Sequence, residues 1–173
     1  MPEFAIGTKE EGQAMIGFER KLVAESPVSR AMVRTFAALV EDANPAFWDV
    51  EDSTNRWGGE LAPAAVLAGW LLAPPWHPWE VDEVTEAAHI TFLVPLPGPS
   101  LINAESDVTF YRPIVVGDEL TVTERVESIS EEKATRLGKG HFITTRSTYR
   151  NAAGEVVADL GWKVLRFTPE EGQ

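Results

Sequence analysis

The sequence contains no cysteine, so disulfides, thiolate metal ligands and cysteine nucleophiles are excluded together. Histidine is scarce as well: His77, His89 and His141 lie far apart, without the spacing of a metal site. Positive charge is in deficit. The 15 Lys and Arg against 27 Asp and Glu leave a formal charge of −12. This argues against a nucleic-acid binder, whose affinity rests on cations neutralising phosphates. The N-terminus, MPEFAIGTKEEGQ, lacks a basic region followed by an apolar run, so no signal peptide is read there and a cytoplasmic location is expected. No apolar run suits a membrane helix: LAPAAVLAGWLLAPPW extends 16 residues with three prolines, against the roughly 20 a span needs. It reads as a buried core helix.

What is present fits one folded domain: 173 residues, 44% apolar and 24% charged, can bury a core but cannot hold two domains of that size. The division expected is an N-terminal extension over 1–25, a single domain over 26–168 and a tail over 169–173. A first helix is placed around Thr8 to Phe18. A second begins with Ser26 as N-cap and Pro27 at the first helical position; Val28, Met32, Phe36 and Leu39 follow at helical spacing. It should stop near Glu41 or Asp42, because Pro45 lacks an N–H and pushes Asn44 out of helical geometry. DVEDSTNRWGGE then reads as a polar loop. Pro63 opens a helix, PAAVLAGWLLA, which is apolar on every face and must be wrapped on several sides. Proline, tryptophan and acid dominate Trp76 to Ser100, read as an irregular excursion containing a short strand at His89 to Val94.

After Ser100 the period becomes two. Val108 and Phe110, then Leu120, Val122 and Val126, then Ile143, Thr145 and Tyr149, then Val156, Ala158, Leu160, Trp162 and Val164 alternate with polar positions. VVGD ending at Asp118 and NAAG at Asn151 to Gly154 supply turns. The expected architecture is an α+β hot-dog fold, an antiparallel sheet wrapped around the central apolar helix. Its open edge and cleft call for a dimer.

The order DANP, WGGELAP, apolar helix, FYRPIVVGDELTV and NAAGEVVA resembles the MaoC-like hot-dog hydratases and dehydratases over about residues 26 to 166. EEKATRLGKGHFITTRSTY with LGWKVLRFTP is similar, more narrowly, to the MaoC half of the large, non-catalytic subunit of actinobacterial steroid side-chain enoyl-CoA hydratases. In that family an Asp and a His in a D-x-N-P-x-H arrangement hydrate a trans-2-enoyl thioester: water loses a proton as it attacks C3 and C2 gains one. Asp42, Asn44 and Pro45 match, but Phe47 stands at the histidine position. No complete catalytic pair is therefore encoded, and Asp42 and Asn44 are read as relic or supporting groups. Substrate-binding residues are expected at Trp57, Gly58, Gly59, Pro63 and Ala64, in the WGGELAPAA stretch whose helix start the resemblance turns toward the thioester carbonyl. Pro63 has no N–H to donate there. Another is expected at Trp76, which with Trp79 stands among prolines and acids and would wall an apolar tunnel or a dimer contact. Acyl-CoA is the implied ligand, with no metal and no cofactor.

Each of these residues also has a plainer reading. Asp42 and Asn44 suit a helix exit, where short polar side chains bond nearby backbone. Pro63 suits any helix start, Trp70 core packing, and the three histidines ordinary structural sites. Lys133, Arg136 and Lys139 fit a solvated loop, or else the phosphates of coenzyme A. Two functions follow. One is the non-catalytic, substrate-accommodating subunit of a heteromeric enoyl-CoA hydratase, in a heterodimer or heterotetramer whose homologous partner supplies Asp and His. The other is an acyl-thioester-binding or scaffold homodimer without turnover. A third and weaker reading is a homodimeric enzyme using His89 or His141. Neither nucleic acid nor membrane is an expected partner.

Overall fold

The computed structural model describes residues 4–71 and 89–170. Six antiparallel strands form one sheet: β1 Glu19–Val23, β2 Ser100–Phe110, β3 Thr121–Ile129, β4 Lys133–Thr135, β5 Gly138–Arg150 and β6 Val156–Pro169. Their order across the sheet is β1-β3-β5-β6-β2, with β4 folded back on the start of β5. Among the described residues three α-helices precede β2: α1 Lys9–Ala14, α2 Arg30–Leu39 and α3 Val50–Trp57.

The strand period seen in the sequence becomes the inner face of the sheet. Val122 and Val126 of β3, Ile143, Thr145 and Tyr149 of β5, and Ala158, Leu160 and Val164 of β6 are buried. Two apolar clusters cover this face. One gathers Val33, Phe47, Val66, Leu67 and Trp70 over Val122, Tyr149 and Leu160. The other gathers Ile90, Val94 and Leu96 over Val126, Ile143 and Val164. Both expected turns are present, each with glycine at positive φ: Gly117, at +94°, and Gly154, at +80°. Their closing bonds run from Asp118 N–H to Val115 O and from Gly154 N–H to Asn151 O.

Several elements differ from expectation. The second helix begins at Arg30, capped by Ser29, whose side chain accepts from Met32 N–H. Ser26 cannot be its cap, because Val28 is held in extended pairing, its N–H bonded to Asp118 O and its carbonyl to Gly117 N–H. The polar loop is in fact helix α3, with Asp49 capping its first N–H groups and Gly58 ending it in the left-handed conformation. The apolar segment after Pro63 winds as a 3-10 helix, Ala64–Leu71, rather than an α-helix. The strand expected at His89 to Val94 is a single 3-10 turn, Ile90–Phe92, capped by the His89 side chain. The first helix shrinks to α1, closed at its N-terminus by a reciprocal Thr8 and Glu11 capping box. Residues 1–25 also contribute β1, paired with β3 from Glu19↔Arg125 to Val23↔Thr121.

Candidate functional site

The loop after α2 shows what the DANP stretch does. The helix ends with Asp42 N–H bonded to Ala37 O and Glu41 N–H to Ala38 O, while Glu41 takes φ of 55°. This is the Schellman pattern, with glutamate where glycine is usual. Asp42 Oδ1 then accepts from Asn44 N–H at 2.9 Å, and Asn44 Oδ1 accepts from Ala46 N–H at 3.1 Å. Trp48 Nε1 donates to Asp42 O at 2.7 Å. Both candidate polar side chains thus close their own loop, as the plainer reading expects. Phe47 points the other way. It is only 7% exposed and belongs to the first apolar cluster. No group that moves a proton faces Asp42 from position 47.

The WGGELAP stretch is held against a neighbouring segment. Ser53 donates to Gly59 O at 3.0 Å and accepts from Leu61 N–H at 2.8 Å. Leu61 bridges Val115, and a Cβ on Gly59 would lie 3.0 Å from the Val115 side chain. The glycine therefore permits close approach to the protein's own backbone partner. Glu60 is buried between Arg30 and Arg34 of α2, with Arg30 Nε at 2.5 Å. Trp57 is exposed at the end of α3, Pro63 is buried, and Ala64 is exposed. Trp76, His77 and Trp79 lie outside the described residues.

A second polar cluster lies on the inner face of the sheet, between the two apolar clusters. Arg20 of β1 and Glu124 of β3 are direct cross-strand partners, with Arg20 Nε 2.5 Å from Glu124 Oε2. His89 Nε2 lies 3.1 Å from the other carboxylate oxygen, close enough for an electrostatic contact, though not aligned as a hydrogen bond. His89 Nδ1 accepts from Thr91 N–H at 3.3 Å and lies 3.0 Å from the Thr91 hydroxyl, which assigns the ring proton to Nε2. The imidazole also sits 4.3 Å from the Trp162 ring. Burial, with a smaller push from the Arg20 cation, lowers the His89 pKa to about 3. Burial raises that of Glu124, opposed by Arg20. Burial and the nearby Glu124 push the Tyr149 phenol up. His89 is therefore a neutral imidazole whose Nδ1 is hydrogen-bonded and whose Nε2 rests against the Glu124 carboxylate without an aligned hydrogen bond, an arrangement suited to fixing the chain to the sheet. The signal for this cluster is visible in the sequence as a charged residue at the inward phase between Val122 and Val126.

The remaining sequence candidates separate. His141 is buried in β5, its Nδ1 2.9 Å from Ser130 O. Trp70 is buried in the core. Lys133, Arg136 and Lys139 sit exposed on the β4–β5 hairpin. Beside the DANP loop an open trough of about 590 Å³ has Ala37, Ala38, Ala43 and Pro45 as its floor and Trp48 as a wall. Among the described residues, no helix is long and apolar enough to cross a membrane.

Comparison with known proteins agrees with this geometry. The chain is 37% identical over 153 residues to a Thermomonospora curvata protein named "probable enoyl-CoA hydratase alpha subunit", covering 85% of this chain and 47% of that protein. It is 22% identical over 165 residues to the 3-oxo-4,17-pregnadiene-20-carboxyl-CoA hydratase alpha subunit of Mycobacterium tuberculosis, covering 88% and 49% respectively. The chain thus spans about half the length of these curated relatives. Among solved structures, a chain of the ChsH1-ChsH2 complex from Mycobacterium tuberculosis superposes with a TM-score of 0.75 at 20% identity, covering 94% of this chain and 93% of that one, which fixes the fold as hot-dog. The profile of the FAS1-like dehydratase domain region matches residues 14–160. With that profile covering most of its length, the chain belongs to the FAS1-like dehydratase family of MaoC-type hot-dog proteins.

Proposed function

We propose that this chain is the non-catalytic, substrate-accommodating subunit of a heteromeric enoyl-CoA hydratase, with a homologous partner supplying the Asp and His. The observation that carries the reading is Phe47. The position where the family places its histidine is filled by a ring packed in the core, and Asp42 is engaged by its own loop. A chain so built retains the fold of a hydratase without its proton relay. The names of the two relatives, both alpha subunits, support a heteromer, and the pregnadiene thioester in one of them supports a bulky, polycyclic acyl group. Trp57, Gly58, Gly59, Pro63, Ala64 and Trp76 remain the residues we assign to the side of the acyl-CoA cleft.

The sheet edges support a seam for the partner. β2 pairs only with β6 among the described residues, so its other side presents free backbone groups. Ile102, Val108, Phe110 and the adjoining Tyr111 are exposed apolar residues along it. β1, the opposite edge, has five residues, with Glu19 and Lys21 exposed, a shorter and more charged border. A partner strand added at β2 would extend the sheet.

The test is to mix the purified chain with a hot-dog subunit from the same genome that carries an intact D-x-N-P-x-H loop. A stable complex by mass, hydrating a bulky trans-2-enoyl-CoA, is the expected result. A chain that forms only homodimers and binds acyl-CoA without turnover in any mixture would favour the scaffold reading instead.

A further inference from the structure

We propose that the trough beside the Asp42 loop is a docking surface for a segment of the partner subunit that carries Lys or Arg among small apolar side chains. The trough has two properties that a solvated surface does not need together. Its floor is apolar, and Leu39, Val40 and Val50, next in sequence to its lining residues, are 79%, 51% and 40% exposed. Contiguous exposed apolar surface is the usual mark of an interaction site. Its wall is also fixed: the Trp48 ring, 40% exposed, is tied at Nε1 to Asp42 O and backed by Arg34, whose guanidinium carbon is 5.6 Å from the ring centroid. An aromatic held in place offers contact area with little further loss of entropy on binding.

The second property is negative charge without a paired cation. Glu41, Asp42 and Asp49 line the trough, and none of them has a cation within ion-pair distance among the described residues; Asp49 is partly satisfied as the N-cap of α3, whereas the Glu41 carboxylate has no such partner. Of the nearby cations, Arg30 is paired with Glu60 and Arg56 with Asp52, while Arg34 stands behind Trp48, shared between Glu60 and the Trp48 carbonyl. Glu41 moreover occupies a left-handed position that glycine would hold without strain. A carboxylate is thus kept at the rim of an apolar trough in a chain already at −12. The complement is a cation on an apolar stem, and charge complementarity of this kind sets partner choice and encounter rate.

This inference rests on the heteromeric reading above. Because the chain has no cysteine, Ala38→Cys places one thiol at an exposed position on the trough floor. A maleimide–benzophenone linker on that thiol, irradiated in the complex with the D-x-N-P-x-H-bearing subunit, should attach to a segment of that subunit that carries Lys or Arg within an apolar stretch. In parallel, Glu41→Lys and Ala38→Trp should each weaken the complex at least tenfold in low salt, and Glu41→Lys should flatten its salt dependence. Far-ultraviolet circular dichroism of each variant checks folding. Complexes of wild-type affinity in both variants, an intact complex whose cross-link maps to no partner segment, or a cross-link to a second copy of this chain would overturn the docking surface alone. Absence of any complex with the wild-type chain would overturn the heteromeric reading and the docking surface with it.

Discussion

The Asp42–Trp48 loop and the Arg20–Glu124–His89 contact are both polar clusters on one small fold, and water reaches them differently. Asp42 and Asn44 are exposed, bond to their own backbone and stay solvated. Glu124 and His89 are withdrawn between two apolar clusters, where a charge without its partner is expensive. The comparison teaches that the conspicuous motif and the energetically demanding site are different places. The polar side chains Asp42 and Asn44 match the family's motif and serve their own loop, whereas the interior contact is the more demanding one and has no motif.

Changes at the two sites should therefore differ in size. Glu124→Ala leaves Arg20 and His89 facing an unfilled interior, and breaking such a buried pair costs about 3–5 kcal/mol, read as a lower urea midpoint. Phe47→His restores the family's residue to the sequence but exchanges a packed ring for a polar one. It should lose about 2–3 kcal/mol by the same measurement and gain no turnover.

The pH dependence has a definite sign. His89 ordinarily titrates near 6.5 but near 3 in the fold, so the folded state binds fewer protons. Its contribution is fully present above the unfolded value and falls as pH drops, by about 2 kcal/mol at pH 5. The raised Glu124 pKa acts in the opposite sense, so the two contributions are separated by variant rather than by pH, and the His89 window lies below about 6.5. His89→Gln should flatten the stability profile across that window in denaturant titrations. The smallest effect belongs to the loop: Glu41→Gly relieves the positive φ and should stabilise the chain by about 0.5–1 kcal/mol.

β3, β5 and β6 were legible because one face of each is buried and a period of two marks it; β2 keeps an apolar alternation at Val108 and Phe110, but those residues are exposed at the sheet edge rather than buried. β1 was not legible, because its five residues carry Glu19, Arg20 and Lys21 in succession and mask the inward phase shared by Arg20 and Leu22. α3 was hidden by composition. Only Ser53 on it is buried, so no apolar stripe marks it; Asp49 at its start and Gly58 at its end were the available signs. The 3-10 winding after Pro63 was invisible, since an all-apolar segment has no period to separate one helix type from another. That position 47 offers no proton-transfer group was readable from Phe47 alone. The burial of that ring in the core needed the tertiary structure.

The central claim is that this chain cannot perform the hydration by itself, and turnover of a trans-2-enoyl-CoA by the purified chain tests it most directly, alongside Asp42→Ala. The account predicts no turnover above the uncatalysed rate from either protein. Measurable turnover by the lone chain that disappears in Asp42→Ala would contradict it.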